Sequence, residues 1–246
     1  MTEPRQLALP FDDRQSFEAA DFIEAPSNRA ARTALDHEEE WVNRRLVIWG
    51  EAGSGKTHLL HLWAARRQAL RLNAPSLRQA VVSEMNRLGR PALAIEDIDA
   101  PASEEALLHT LNAAQAAAVS VMLTSRQPPG RLDVRLADLA SRLRASLTIQ
   151  IEPAEDALLE SLLLRLCAIR QISLPAPFRQ HLLTWLPRRA SVLHEAVARL
   201  DHAALAHGGL PSRAMAVTLL HDLLVVPEEP LQPLRDSQLH DGERFL

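Results

Sequence analysis

The 246-residue chain has no tyrosine, one cysteine and only 4% aromatic residues, and each shortage closes a class of function. Few rings leave few platforms for stacking bases, which argues against an RNA-recognition module or a single-strand binder built on aromatics. Cys167 can form no internal disulfide and supplies no thiolate cluster, so a buried thiol in a reducing, cytoplasmic setting is expected and a cysteine zinc site is not. Long apolar runs are missing too. Acid and proline open the chain, and charges interrupt every later apolar stripe, so neither a signal peptide nor a membrane span is expected. Positive charge is not in excess: 27 Lys plus Arg face 31 Asp plus Glu, a formal −4, which gives no global drive towards nucleic acid. What is present is apolar bulk. At 47% hydrophobic residues the chain can bury a sizeable core in roughly one or two domains, and collagen, a disulfide scaffold and bulk disorder are excluded.

Periodicity divides the chain. Residues 1–15 read as a flexible arm around the apolar island Leu7 to Phe11. Residues 28–41 read as a helix with Ser27 as its cap. A short strand, Leu46 to Trp49, then runs into a glycine loop and a further helix carrying Leu59, Leu62 and Trp63 on one face. Strands are also predicted over 93–95, 119–123 and 147–151, with helices over 76–88, 103–118 and 132–144 between them, a pattern that implies a parallel sheet covered by helices on both faces. After Pro153 the strand signal ends, and 154–170, 176–186, 190–207 and 212–225 read as amphipathic helices punctuated by proline. The expected domains are therefore the arm at 1–15, an α/β nucleotide-binding domain at 16–153, a small all-helical lid at 154–226 and a tail at 227–246.

The glycine loop carries the chemistry. Gly50, Glu51, Ala52, Gly53, Ser54, Gly55, Lys56 and Thr57 form a complete G-x-x-x-x-G-K-[ST] pattern between a strand and a helix. Glycines let backbone N–H groups curl around phosphate oxygens, Lys56 neutralises the outer phosphates, Thr57 offers a hydroxyl to Mg²⁺, and the helix N-terminus adds its dipole. A Mg²⁺-side carboxylate belongs at the end of a buried strand, where Glu96 and Asp97 stand. The same acids also suit the entry of the next helix. Ser125, after Thr124, ends a strand where a polar side chain senses the outer phosphate or the attacking water, or simply starts a loop before Pro128 and Pro129. His58 and His61 share a helix face but lack a third convergent ligand, so they are not read as a metal site.

At these residues the chain resembles a known family. The stretch Phe17 to Asn28, the loop with His58 to His61 after it, Leu123-Thr124-Ser125 with Pro128-Pro129, and Ser141-Arg142-Leu143 are similar, in order, to the AAA+ core of the bacterial DnaA/Hda family from about residue 15 to about 225. The resemblance implies an AAA+ P-loop parallel sheet sandwiched by helices, followed by a helical lid, holding ADP or ATP with Mg²⁺. It places Phe22, Ile23 and His58 beside the nucleotide, Thr57 and Glu96 at the metal, Asp97 at the chemistry and Ser125 as a sensor. Arg142 would then be a finger acting in trans on a neighbour's nucleotide; by position alone it also suits a helix C-terminus or a salt bridge. The DnaA-type helix-turn-helix is expected to be absent. Gln6, Leu7, Leu9, Pro10 and Phe11 resemble the peptide by which partners dock on the sliding clamp: proline holds it extended, Leu9 and Phe11 fill an apolar pocket, and Gln6 anchors through its amide.

The resemblance therefore implies a cytoplasmic negative regulator of chromosomal replication initiation that binds the sliding clamp, contacts ATP-bound DnaA and promotes hydrolysis there, and that could self-associate, with no membrane and no strong direct DNA binding. Departures from the family pattern are informative. Glu96-Asp97 replaces Asp-Asp, Arg126 follows the Thr-Ser pair where an acid is usual, and Leu193 aligns with the lid's sensor arginine unless Arg188 or Arg189 takes that place. These changes imply a weak intrinsic ATPase that holds ADP structurally. The competing readings are a stand-alone AAA+ ATPase or remodelling factor, and a helicase-loader-like initiation protein.

Overall fold

The computed structural model describes residues 22–77, 89, 91–207, 209 and 212–224. The peptide Gln6 to Phe11 that was expected to dock on the clamp, residues 78–88 of the helix expected over 76–88, and the tail at 227–246 lie outside them.

The first helix, α1 (Pro26–Asp36), precedes β1 (Arg45–Trp49), which runs through the glycine loop into α2 (Lys56–Arg67). Then come β2 (Leu70–Asn73), β3 (Ala92–Glu96), α3 (Glu104–Ala116), β4 (Ser120–Ser125), α4 (Ala137–Arg144) and β5 (Leu147–Gln150). The five strands form one sheet in the order β2-β3-β4-β1-β5. Every pairing is parallel, with Val47 of β1 opposite both Leu123 of β4 and Thr148 of β5. Side chains alternate across a strand, so neighbours in sequence feed opposite layers. Val47, Leu93, Ile95, Val121 and Leu123 face Leu107 and Leu111 of α3 and Leu139 of α4. Leu46, Ile48, Ala94 and Met122 face Ala31 and Leu35 of α1 and Leu59, Leu60 and Trp63 of α2. The central strands β1, β3 and β4 are buried on both faces, which is why they read as unbroken apolar runs.

Beyond β5, α5 (Asp156–Ile169), α6 (Ala176–Trp185), α7 (Ala190–His207) and α8 (Arg213–Leu220) surround a separate core that includes Leu163, Leu166, Leu182, Leu193, Val197 and Leu200. Cys167 is buried there, and burial pushes its thiol pKa up. Among the described residues no helix is long and apolar enough to cross a membrane.

The structure departs from the sequence expectations in four places. The first helix ends at Asp36, not at 41; short 3-10 turns follow, and the Trp41 indole donates back to the Ala34 carbonyl at 2.7 Å. Ser27 is not that helix's cap but lies within its first turn, where Glu155 accepts from the Ser27 N–H at 2.6 Å and from its hydroxyl at 2.8 Å. The helix expected from 132 starts at Ala137, because the Glu104 carboxylate accepts from the N–H groups of Arg135 and Leu136 at 3.0 and 2.8 Å and holds them out of a helix. Strand β2 was not expected: four alternating residues at a sheet edge carry little signal, and only Ala69 separates them from the left-handed Gln68 (φ 50°) that ends α2.

Candidate functional site

The glycine loop leaves the C-terminal end of β1 and is tied to the sheet by the Gly50 N–H, which donates to the Ser125 carbonyl at 3.2 Å. Two positions require glycine. A Cβ at Gly50 would lie 2.8 Å from the Ile151 carbonyl, and one at Gly53, where φ is +78°, would lie 2.9 Å from the backbone nitrogen of Ser191 at the start of α7. Gly55, at φ +95°, turns the chain into α2. Lys56 opens that helix and is nearly buried, its ammonium donating to the carbonyls of Gly50 at 2.8 Å and Glu51 at 2.7 Å. It is also the chain's only lysine among 27 basic side chains. A compact ammonium fits between loop carbonyls where a planar guanidinium does not. Burial lowers its pKa, Arg126 adds to that, and Asp99, Asp97 and Glu51 act against it. The hydrogen-bond partners of this buried charge are neutral oxygens, so a phosphate is the group that would complete it, and the loop fits one.

The metal side is laid out across the loop. The Thr57 hydroxyl donates to Glu96 at 3.1 Å, placing the two expected Mg²⁺ partners together. The other Glu96 oxygen is 3.4 Å from Nε2 of His61, whose pKa is lowered first by burial and then by Arg71, while Glu96 acts to raise it. Among the described residues no group of three or more acid, histidine or cysteine side chains could cage a metal by itself. A Mg²⁺ here would rest on Thr57 and Glu96 and take its remaining ligands from phosphate and water, as this ion commonly does. Asp97 has φ +55° and donates its N–H to the Thr124 hydroxyl at 3.3 Å. Ser125 is fully buried, and its hydroxyl is engaged with Asp99 at 2.9 Å and the Gln127 carbonyl at 2.6 Å.

Asp99 went unnoticed in the sequence. Besides Ser125 it accepts from the Arg126 N–H, at 3.0 and 2.9 Å to its two oxygens, and so fixes the loop after β4 against the end of β3. Its proximity to Lys56 and Ser125 arises from sheet order, which local pattern does not carry.

A cavity of about 790 Å³ opens beside the loop. Phe22, Ile23, Gly53 to His58, Leu158, Leu162, Ala190, Ser191 and His194 are among its lining residues. Phe22 and His58 meet edge to face at 5.3 Å. The residues expected beside the nucleotide, Phe22, Ile23 and His58, thus line one cavity with the glycine loop. Leu193, which aligns with the lid's sensor arginine, is buried in the helical core, and Arg188 pairs with Asp156 at 2.8 Å; Arg165, Arg170, Ser191 and His194 are among the lid residues that line the cavity.

Arg142 stands elsewhere. It lies in the last turn of α4, its Nη1 donating to Gln115 at 3.1 Å and its Nε 3.6 Å from Asp138. The hydroxyl of Ser146, just before β5, donates to the Arg142 carbonyl at 3.1 Å. Arg142 is therefore at the end of the sheet where strands begin, whereas the glycine loop is where they finish. The five residues of β1, at roughly 3.3 Å each, put about 15 Å between the two ends.

No protein-family model matches the chain. In three dimensions it is similar to domain III of the replication initiation protein DnaA from Thermotoga maritima, with a TM-score of 0.71 and 20% identity over 89% of this chain and 100% of that one. It is also similar to the replication initiator DnaA bound to AMPPCP and single-stranded DNA (TM-score 0.58, 19% identity, 72% of this chain and 62% of that one). A RuvB variant from Thermotoga maritima matches with a TM-score of 0.61 and 15% identity over 85% of this chain and 72% of that chain. The chain thus spans the whole of the isolated DnaA domain but under two thirds of the longer DnaA chain. The fold is the AAA+ arrangement shared by DnaA and RuvB.

Proposed function

We propose that this protein is a cytoplasmic, Hda-type regulator of replication initiation: an AAA+ domain at 16–153 with a lid at 154–226 that holds ADP or ATP with Mg²⁺ and stimulates ATP hydrolysis by ATP-bound DnaA. The observation that carries the reading is the placement of Arg142 at the strand-start end of the sheet, about 15 Å from its own phosphate loop, where it serves a neighbour's nucleotide and not its own. The order of motifs and the likeness to DnaA domain III support the choice of partner.

In this reading the loop from Gly50 to Thr57, with Phe22, Ile23 and His58, holds the chain's own nucleotide, Thr57 and Glu96 its Mg²⁺, Asp97 lies near the reacting end and Ser125 senses it. The bound nucleotide supplies the negative charge that completes Lys56 and ties loop to lid across the cavity. Arg142 acts on the partner's site. There, water oxygen bonds to the γ-phosphorus as the bond to the β,γ-bridging oxygen breaks; ADP and phosphate leave and one proton passes to solvent. A guanidinium stays charged throughout and meets the developing negative charge with a planar fork of donors. Gln6, Leu7, Leu9, Pro10 and Phe11 dock the protein on the sliding clamp, which brings it to replicating DNA without strong DNA binding of its own; self-association through the AAA+ edges is compatible with this.

The test is ATP hydrolysis by purified DnaA with DNA-loaded clamp, in the presence of the wild-type protein, Arg142→Ala, or a variant altered at Gln6, Leu9 and Phe11. Wild type is expected to accelerate hydrolysis and both variants to fail. Equal inertness of all three, with brisk ATP consumption by the protein alone that Lys56→Ala abolishes, would establish the stand-alone motor reading instead.

A further inference from the structure

Arg45 opens β1, between β4 and β5 at the end of the sheet where strands begin, opposite Val121 of β4 and one residue before the Leu46 to Leu147 pair with β5. It is 3% exposed, yet its Nε and Nη1 have no hydrogen-bond partner among the described residues. The charged group that bears on it is a like charge, Arg142; burial first, and Arg142 second, lower its pKa, and an arginine remains protonated nonetheless. The Nε of Arg142 is also buried without a hydrogen bond, its nearest acid being Asp138 at 3.6 Å. Leaving a buried guanidinium unpaired beside a second one costs stability, and a thioether or alkyl side chain of similar volume would remove that cost. An arrangement that lowers stability and gathers positive charge at one edge fits an anion arriving from outside.

We propose that Arg45 is a positioning residue for Arg142: a second guanidinium set behind the finger, so that the terminal phosphate of a neighbour's nucleotide meets the field of two cations at this edge. This rests on the proposed role of Arg142. Arg45 does not touch the phosphate. Its charge directs the Arg142 fork outward and strengthens its hold on the developing negative charge in the low-dielectric interface.

The experiment uses the full-length protein, ATP-bound DnaA and DNA-loaded clamp, comparing wild type with Arg45→Met, Arg45→Lys and Arg142→Ala. It reads the melting midpoint of each variant, the maximal stimulated rate and the protein concentration giving half of it. Arg45→Met is expected to melt about a few degrees higher than wild type. It is also expected to lower the maximal rate about ten-fold with the half-saturating concentration little changed, as loss of a transition-state interaction does. Arg45→Lys, which keeps the charge, should restore most of the rate. Parallel loss of midpoint and rate in Arg45→Met would mark Arg45 as merely structural and overturn the proposal. So would full stimulation by Arg45→Met beside an inert Arg142→Ala, which would leave the finger standing. An Arg142→Ala that stimulates as wild type does, or an inert wild type, overturns the finger and this proposal together.

Discussion

At the scale of single residues, the glycine loop concentrates the strongest constraints. Gly53 combines a left-handed φ of +78° with a backbone approach, since an added Cβ would crowd Ser191 of α7 from 2.5 to 3.0 Å. Gly53→Ala is therefore expected to cost about 1–3 kcal/mol, from the strained conformation together with the displaced lid contact. Binding of a fluorescent ADP should weaken at least about ten-fold, the size of a 1.4 kcal/mol loss. Gly130→Ala is the control, because a Cβ there meets nothing within 4 Å and φ is ordinary. A Gly53→Ala protein that melts and binds as wild type does would remove the structural reason for glycine at this site. The residues of this loop were legible from sequence because their spacing is local. Asp99 was not, since what joins it to Ser125 and Arg126 is the adjacency of β3 and β4.

At the scale of elements, the contact between α1 and the start of α5 shows one helix end completed from a distance. The first N–H groups of a helix lack partners within it, and their positive end favours a carboxylate. Glu155 supplies that carboxylate to Ser27 across 128 positions of sequence. Its pKa is lowered: burial acts to raise it and is outweighed by hydrogen bonds from its own backbone and from Ser27. A folded-state pKa below the unfolded value of about 4.3 means that the stabilisation is complete above that pH and is lost as pH falls through the folded value. Glu155→Gln is therefore expected to melt below wild type at pH 7, with the gap closing as pH falls below about 4. A gap that stays constant from pH 7 to 3 would show that charge plays no part in the tie. Helices α3, α5, α6 and α7 were legible within a few residues, because each presents a continuous apolar stripe. The ends of α1 and α4 were not, since Trp41 folding back on Ala34 and Glu104 holding Arg135 and Leu136 are contacts made after packing.

At the scale of the whole molecule, the sheet with its helices and the helical bundle each have a core, and the cavity beside the glycine loop takes its walls from both. Under the proposed function, a nucleotide binds there only when both are in place. Leu163→Ala, fully buried in the bundle on the helix that also presents Leu159, Leu162 and Leu166 to the cavity, should cost about 2–5 kcal/mol. It should also weaken ADP binding. Leu111→Ala, equally buried beneath the sheet but away from the cavity, should cost similar stability and leave ADP affinity unchanged once folded. Isothermal titration of both variants below their melting midpoints separates the two, and equal losses of affinity would contradict a shared site. By itself, the sequence determined the parallel sheet flanked by helices, the helical segment after it and the glycine loop, because periodicity and glycine spacing are properties of consecutive residues. Only the tertiary structure decided that β2 closes one edge, that Ser191 meets the loop while Leu193 is buried in the helical core, that Asp99 braces Ser125, and that Arg45, beside Arg142, leaves Nε and Nη1 without a hydrogen-bond partner among the described residues. Each of these depends on which distant segments the packed sheet brings together, and no local pattern encodes that adjacency.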